Sequence, residues 1–237
     1  MKPVLILLLD RERPPGYLND FFARQGIATH AVLLAQPADV PSIDWCRRFA
    51  GLMVLDAAHQ ANTLLEVELA VADLLQSAQQ RGLAVFAEGR GAQILSRTLR
   101  GEFAEQRPVL GWSVVRASDD FNRFSEYSPA PTRMFTWSEC ACDTPPTAEV
   151  LFRNHQQRGI GFVGDGYLAV EFLVSVSRQQ YLVWLEQLST ARPAPSGSVQ
   201  TASELRYAAE HYLKDCHRLA ANILRYWSRK IADLKRS

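Results

Sequence analysis

Residues Gly82–Gly101 read GLAVFAEGRGAQILSRTLRG, and the order of structure within them decides the fold. Leu83–Ala87 is a short apolar run and is predicted as a buried strand. Glu88-Gly89-Arg90-Gly91 follows as a tight turn, and Ala92–Leu99 carries apolar residues at helical spacing. A strand, turn and helix in direct succession is where an α/β protein mounts a nucleophile, at the tip of a strained elbow. The tip residue should be Ser or Cys. Here it is Gly89, which has no side chain with which to attack anything.

Upstream of this stretch, strands and helices alternate. Pro3–Leu9 is a continuous apolar run, as expected of a parallel strand buried on both faces. Leu18–Gln25 has helical spacing and stops at Gly26, a suitable residue for the position after a helix. Ala28–Leu34 reads as a second strand, Ile43–Arg48 as a short helix or turn, and Gly51–Leu55 as a third strand. Thr63–Arg81 is predicted as an amphipathic helix with Leu65, Leu69, Ala72 and Leu75 on its buried stripe. This alternation predicts an α/β fold: a doubly wound, mostly parallel sheet with helices on both faces.

Downstream the pattern changes. Val109–Arg116 reads as an edge strand and Arg133–Ser138 as another. Phe162–Gly164 and Tyr167–Val174 form a hairpin signal around Asp165-Gly166, of the type I′ kind. Gln179–Leu188 is a helix, TARPAPSGSV at Thr190–Val199 is a Pro/Ser/Gly-rich connector, and Thr201–Lys235 is one long helical pattern. The division that follows is a domain over 1–189, a connector over 190–200 and a C-terminal helical extension over 201–237.

Composition narrows the function classes. The chain has 237 residues, 47% of them hydrophobic and 22% charged, with a formal net charge of +1. That balance argues against nucleic acid and anionic membranes as partners. No window approaches the roughly 18–20 apolar residues of a membrane span. The run Val4–Leu9 is too short for a signal peptide and ends on Asp10. Cys46, Cys140, Cys142 and Cys216 form no CxxC pair, so reduced thiols in a cytoplasmic protein are expected, with no metal. Gly89-Arg90-Gly91 lacks the further residues of a phosphate loop or dinucleotide fingerprint, and no cofactor is expected.

The elbow and the mixed second half together resemble the triad-type class I glutamine amidotransferase domain, over nearly the whole chain. The family's elbow runs P-V-L-G-x-C-x-G-x-Q-x-L-A, against AVFAEGRGAQILS at Ala84–Ser96. Gly91, Gln93 and Leu95 match, and Gly89 stands where the family has its nucleophilic Cys. Gly111-Trp112 matches a Gly-Trp before a strand. Phe135–Cys140 echoes F-H-W-H-x-D, Phe172–Ser175 echoes F-H-P-E, and Ala220–Trp227 is similar to the closing helix. The resemblance implies a flavodoxin-like sheet. It also places Gly89, Leu173 and Ser175 where thiolate, His and Glu would act, so all three roles are expected to be lost together. Asp56-Ala57-Ala58 replaces the family's G-G-P, setting a carboxylate where an oxyanion would form.

The expectation is therefore an amidotransferase-like protein without glutaminase chemistry, a non-catalytic binding, regulatory or structural subunit. The alternative is an active enzyme using Asp56, His59, Glu88 or Cys140 for other chemistry, or a Cys–His pair of Cys140 or Cys142 with His155. Asp56, His59, Glu88 and Arg90 face the carboxyl ends of the strands and are the candidate ligand crevice, with Glu88 and Arg90 a possible ion pair across it. The last helix carries excess positive charge and the aromatic residues Tyr212, Tyr226 and Trp227, candidates for anchoring a protein partner or a second copy in a homodimer.

Overall fold

The computed structural model describes residues 2–57, 64–125, 131–191 and 198–234. The first half follows the predicted alternation. Strand β1 (Val4–Leu8) leads to helix α1 (Tyr17–Arg24), β2 (Thr29–Leu33), the short helix α2 (Ile43–Cys46) and β3 (Leu52–Val54). Helix α3 (Leu64–Gln80), β4 (Val85–Glu88) and α4 (Arg90–Thr98) complete it. The second half comprises β5 (Phe103–Ala117), α5 (Asp119–Ser125), β6 (Thr132–Cys142), β7 (Glu149–Arg153), β8 (Gly159–Gly164), β9 (Tyr167–Val170), α6 (Arg178–Ala191) and α7 (Ala202–Leu234). Neither β7 nor α5 is foreshadowed by the sequence patterns above.

Nine strands form one sheet in the order β2-β1-β3-β4-β9-β8-β7-β5-β6. The first five in that order are parallel and the remainder antiparallel. Alternation along each central strand sends side chains to two cores. Val4 and Ile6 of β1 join Met53, Phe86, Leu168 and Val170 on the face covered by α1, α6 and α7. Leu5 and Leu7 join Val54, Val85, Ala87 and Ala169 on the face covered by α3 and α4. A continuous apolar run is what this two-sided burial demands.

Several expectations need correction. The buried stripe of α3 is Val67, Val71, Leu74, Leu75 and Ala78, whereas Leu65 and Leu69 are 61% and 55% exposed. The helix carries apolar residues on two adjoining stripes, and the sheet takes the one that continues down to Ala78. Strand β5 is not an edge: it pairs with β6 on one side and, through Arg116 and Ala117, with β7 on the other. The Asp165-Gly166 turn joins β8 to β9 as expected, with Gly164 opposite Tyr167. It is not type I′, because positive φ occurs at Gly166 (77°) but not at Asp165.

Helix α7 packs into the first core from Leu205 to Trp227. Leu205, Cys216, Leu219, Ile223, Leu224 and Trp227 are buried with the central strands. The Tyr181 hydroxyl ties α6 to α7 by donating to the Leu205 carbonyl at 2.7 Å, and it accepts from the Trp112 indole at 2.9 Å.

Candidate functional site: a closed crevice at the strand ends

Four segments converge at the carboxyl ends of the parallel strands: the loop after β1, the residue pair after β3, the tip of β4 and the segment after β9. Ligands of doubly wound sheets bind there. The tip residue Gly89 has φ 55° and ψ −121°, which is the strained elbow conformation. Its N–H donates to the Val170 carbonyl at 2.9 Å, which pins the elbow to β9. A Cβ at Gly91 would collide with the Val54 carbonyl, so α4 packs on the sheet only because that position lacks a side chain.

Asp56 decides what the elbow can do. A Cβ built on Gly89 would overlap the Asp56 carboxylate, so Asp56 fills the space a nucleophile's side chain would need. Its Oδ1 also accepts from the Arg90 N–H at 2.8 Å. In an elbow of this kind, the N–H after the tip is a donor for the reaction's oxyanion. The crevice is thus occupied twice over by one buried carboxylate, 3% exposed.

Arg13, from the loop after β1, closes the crevice from above. Its guanidinium lies between Trp137 and Trp184, 4.3 and 4.1 Å from the two ring centroids. Its Nε is 3.7 Å from Asp56 Oδ2, an ion pair without a hydrogen bond. Arg13 Nε and Nη1 and Asp56 Oδ2 are buried without hydrogen-bond partners among the described residues. Burial pushes the Asp56 carboxyl up and Arg13 and the Arg90 N–H pull it back, with burial winning. Burial likewise lowers Arg13, against the field of Asp56.

Glu88 is fully buried and faces the segment after β9. Its carboxylate accepts from the Val174 N–H at 2.8 Å, the Ser175 N–H at 3.0 Å and the Ser175 hydroxyl. Burial pushes its pKa up to about 7, against these hydrogen bonds. Leu173 and Ser175, which the sequence resemblance alone sets against the family's His and Glu, have structural partners. Leu173 is 1% exposed and its N–H donates to the Phe135 carbonyl at 2.8 Å. Ser175 sits under Glu88, and its carbonyl accepts from the Tyr17 N–H at 2.7 Å.

The predicted cluster is therefore brought together only in part. Asp56 and Glu88 lie at the elbow. Arg90 does not pair with Glu88: it turns away to Glu68 on α3, with Nε–Oε1 at 2.5 Å and Nη2–Oε2 at 2.9 Å. A strand residue and the first helical residue, two apart, leave the elbow in different directions. His59 lies outside the described residues. Cys142 is buried beside Glu171, with Sγ 3.5 Å from Oε1, and burial followed by that carboxylate raises its thiol. His155 is exposed in the turn between β7 and β8. The nucleophile–base pair of the alternative reading is not formed by Cys142 and His155, since one is buried, the other exposed, and no hydrogen bond joins them among the described residues. Trp227 is 1% exposed, against Phe86 in the core, and is no partner anchor. Tyr212 and Tyr226 are half-buried, Tyr226 against Phe121 and Phe124. Arg13, Glu68 and Trp184 were missed. A charged residue directly after the first strand, in Asp10-Arg11-Glu12-Arg13, was the available signal for Arg13, since that loop overhangs the crevice.

A parallel sheet whose elbow, strand-end loops and antiparallel flank are arranged in this way has the fold of the class I glutamine amidotransferases. A glutamine amidotransferase from Methylobacillus flagellatus superposes with a TM-score of 0.85 at 20% identity, covering 97% of this chain and 95% of its own. A glutamine amidotransferase from Thermotoga maritima gives 0.77 at 16% identity, covering 96% and 99%. A putative GMP synthase component from Thermoplasma acidophilum gives 0.66 at 11% identity, covering 100% and 97%. No protein-family model and no curated protein matches the chain in sequence. No described helix is long and apolar enough to cross a membrane.

Proposed function

We propose that this chain is a non-catalytic relative of the glutamine amidotransferases, whose former reaction centre has become a structural plug and which acts by binding, in a regulatory or structural role. The observation that carries the reading is the double occupancy by Asp56. One carboxylate takes both the volume of a nucleophilic side chain and the N–H that would receive an oxyanion. Glutaminase chemistry needs a thiolate, a base and a group that fixes the base. Gly89, Leu173 and Ser175 supply none of these roles.

The test is ammonia release from glutamine, together with intact-mass detection of adducts after treatment with a glutamine-mimicking electrophile. Neither ammonia above background nor an adduct is expected. Gly89→Cys alone should stay silent and fold less stably, because its Cβ meets Asp56 at positive φ. Gly89→Cys/Asp56→Gly relieves the collision and should remain silent for want of a base. Turnover by the wild type or by either variant overturns the reading.

A further inference from the structure

Strand β5 runs beside β6 from Phe103 to Val115 but meets β7 only at Arg116 and Ala117. Residues 198–200 lie along Leu110, with the Leu110 N–H donating to the Ser198 carbonyl at 2.9 Å. The Gln200 side chain extends that edge, its Oε1 accepting from the Trp112 N–H at 2.9 Å. Between Trp112 and Arg116 the strand parts from the rest of the sheet and opens a cleft of about 700 Å3. Leu110 and Trp112 turn their backbone groups away from β6, as does Arg116 toward β7. By the same alternation Val114 presents an N–H and a C=O to the cleft.

We propose that this cleft binds a small organic anion, a carboxylate or phosphate monoester with an apolar body, and that Arg133 anchors its charge. The volume lies within the range of small-molecule sites. Two arginines and one glutamate line it. Arg158 is neutralised by a two-pronged pair with Glu171, at 2.7 and 2.6 Å. Arg133 has no carboxylate partner among the described residues. Its guanidinium lies 5.1 Å from the Tyr212 ring centroid, and Nη1 donates to the Trp112 carbonyl at 3.3 Å. One fork is thereby held in place while no described carboxylate pairs with the positive charge, the condition under which arginine recognises carboxylate or phosphate. Ile160 and Phe172 supply the apolar wall, and the Ser113 and Thr136 hydroxyls add polar contacts. The cleft shares no lining residue with the closed crevice, so this proposal stands whatever the fate of the triad.

The probes are AMP and phenylacetate, each against its uncharged counterpart, adenosine and phenylacetamide, measured by thermal shift and calorimetry on the full chain. At least one anion should raise Tm and bind with an affinity that falls with salt, while the uncharged compounds do not. Arg133→Gln should weaken that binding by about 10- to 100-fold, the span expected for a hydrogen bond to a charged group. Arg133→Lys, which keeps the charge and loses the fork, should recover part of the loss. AMP alone responding identifies a phosphate site, and phenylacetate alone a carboxylate site. Silence from both anions, equal response to the uncharged compounds, or undiminished binding by folded Arg133→Gln overturns the proposal.

Discussion

The molecule has two concave regions, and they have opposite fates. The crevice at the parallel strand ends is where this fold places chemistry, yet side chains fill it: Arg13, Asp56 and Glu88 are each at most 3% exposed. The cleft between β5 and the β7–β8 pair is a by-product of strand divergence, yet it is open and holds an arginine, Arg133, with no carboxylate partner among the described residues. The two ion pairs that border these regions differ in the same way. Arg13 and Asp56 are both buried and 3.7 Å apart with orphaned polar atoms. Arg158 and Glu171 form two short hydrogen bonds at a partly exposed position. A closed site with unsatisfied charge is held shut by its surroundings, whereas an open one needs only a ligand to complete it.

The largest expected effect tests the closed side. Arg13→Ala removes the counter-charge of a buried carboxylate and empties the space between Trp137 and Trp184. Breaking a buried pair from one side typically costs about 3–5 kcal/mol. The double variant Arg13→Met/Asp56→Asn keeps the volume and the bond from the Arg90 N–H while removing both charges. It should lie within about 1 kcal/mol of wild type, or above it. Urea unfolding of the three proteins measures this. A loss below about 1 kcal/mol for Arg13→Ala would mean that the pair does not hold the crevice shut, and the contrast between the two regions would disappear.

The parallel half was legible in the sequence because each of its elements is written locally. Val4–Leu8 and Val85–Ala87 are apolar runs between helices on both faces, and Gly26 and Gly82 end the helices that precede strands. The elbow was readable for the same reason, since Glu88 to Gly91 are neighbours in the chain. The plug was not legible. Arg13 meets Asp56, Trp137 and Trp184 across gaps of 43 to 171 residues, and no local pattern encodes such a meeting. The direction of Arg90 was misjudged because its partner, Glu68, lies on a different helix. The cleft was invisible because it depends on where β5 stops pairing with β7, and β7 carries no clean alternation.

A second test concerns Glu88, the most deeply buried carboxyl of the crevice. Its folded pKa of about 7 lies above the ordinary value of 4.5. Between these values the folded protein holds a proton that the unfolded chain has released, so stability falls as pH rises. The contribution is fully present below about pH 4.5 and lost above about pH 7, amounting to about 3 kcal/mol over the window. Asp56, also raised by burial, slopes in the same direction. Glu88→Gln should flatten its share of the profile while retaining an acceptor for the Ser175 and Val174 N–H groups. A wild-type profile in which stability rises from pH 5 to 7 would place Glu88 in contact with water or with an unseen cation, and the crevice would not be closed.

The smallest expected effect lies on the open side and completes the contrast. Arg133 is half-buried, stacks on Tyr212 and donates to one carbonyl, but no buried charge among the described residues pairs with it. Losing a partly exposed cation–π contact costs about 0.5–1 kcal/mol. The Trp112 carbonyl keeps a second donor, Gln200 Nε2 at 3.3 Å, so it is not orphaned when the guanidinium goes. Arg133→Gln should therefore unfold within about 1 kcal/mol of wild type, several-fold less than the loss from Arg13→Ala. Equal losses at the two arginines would mean that Arg133 is a structural residue like Arg13. In that case its charge serves the packing of β5 against α7, and it is not held in readiness for a ligand.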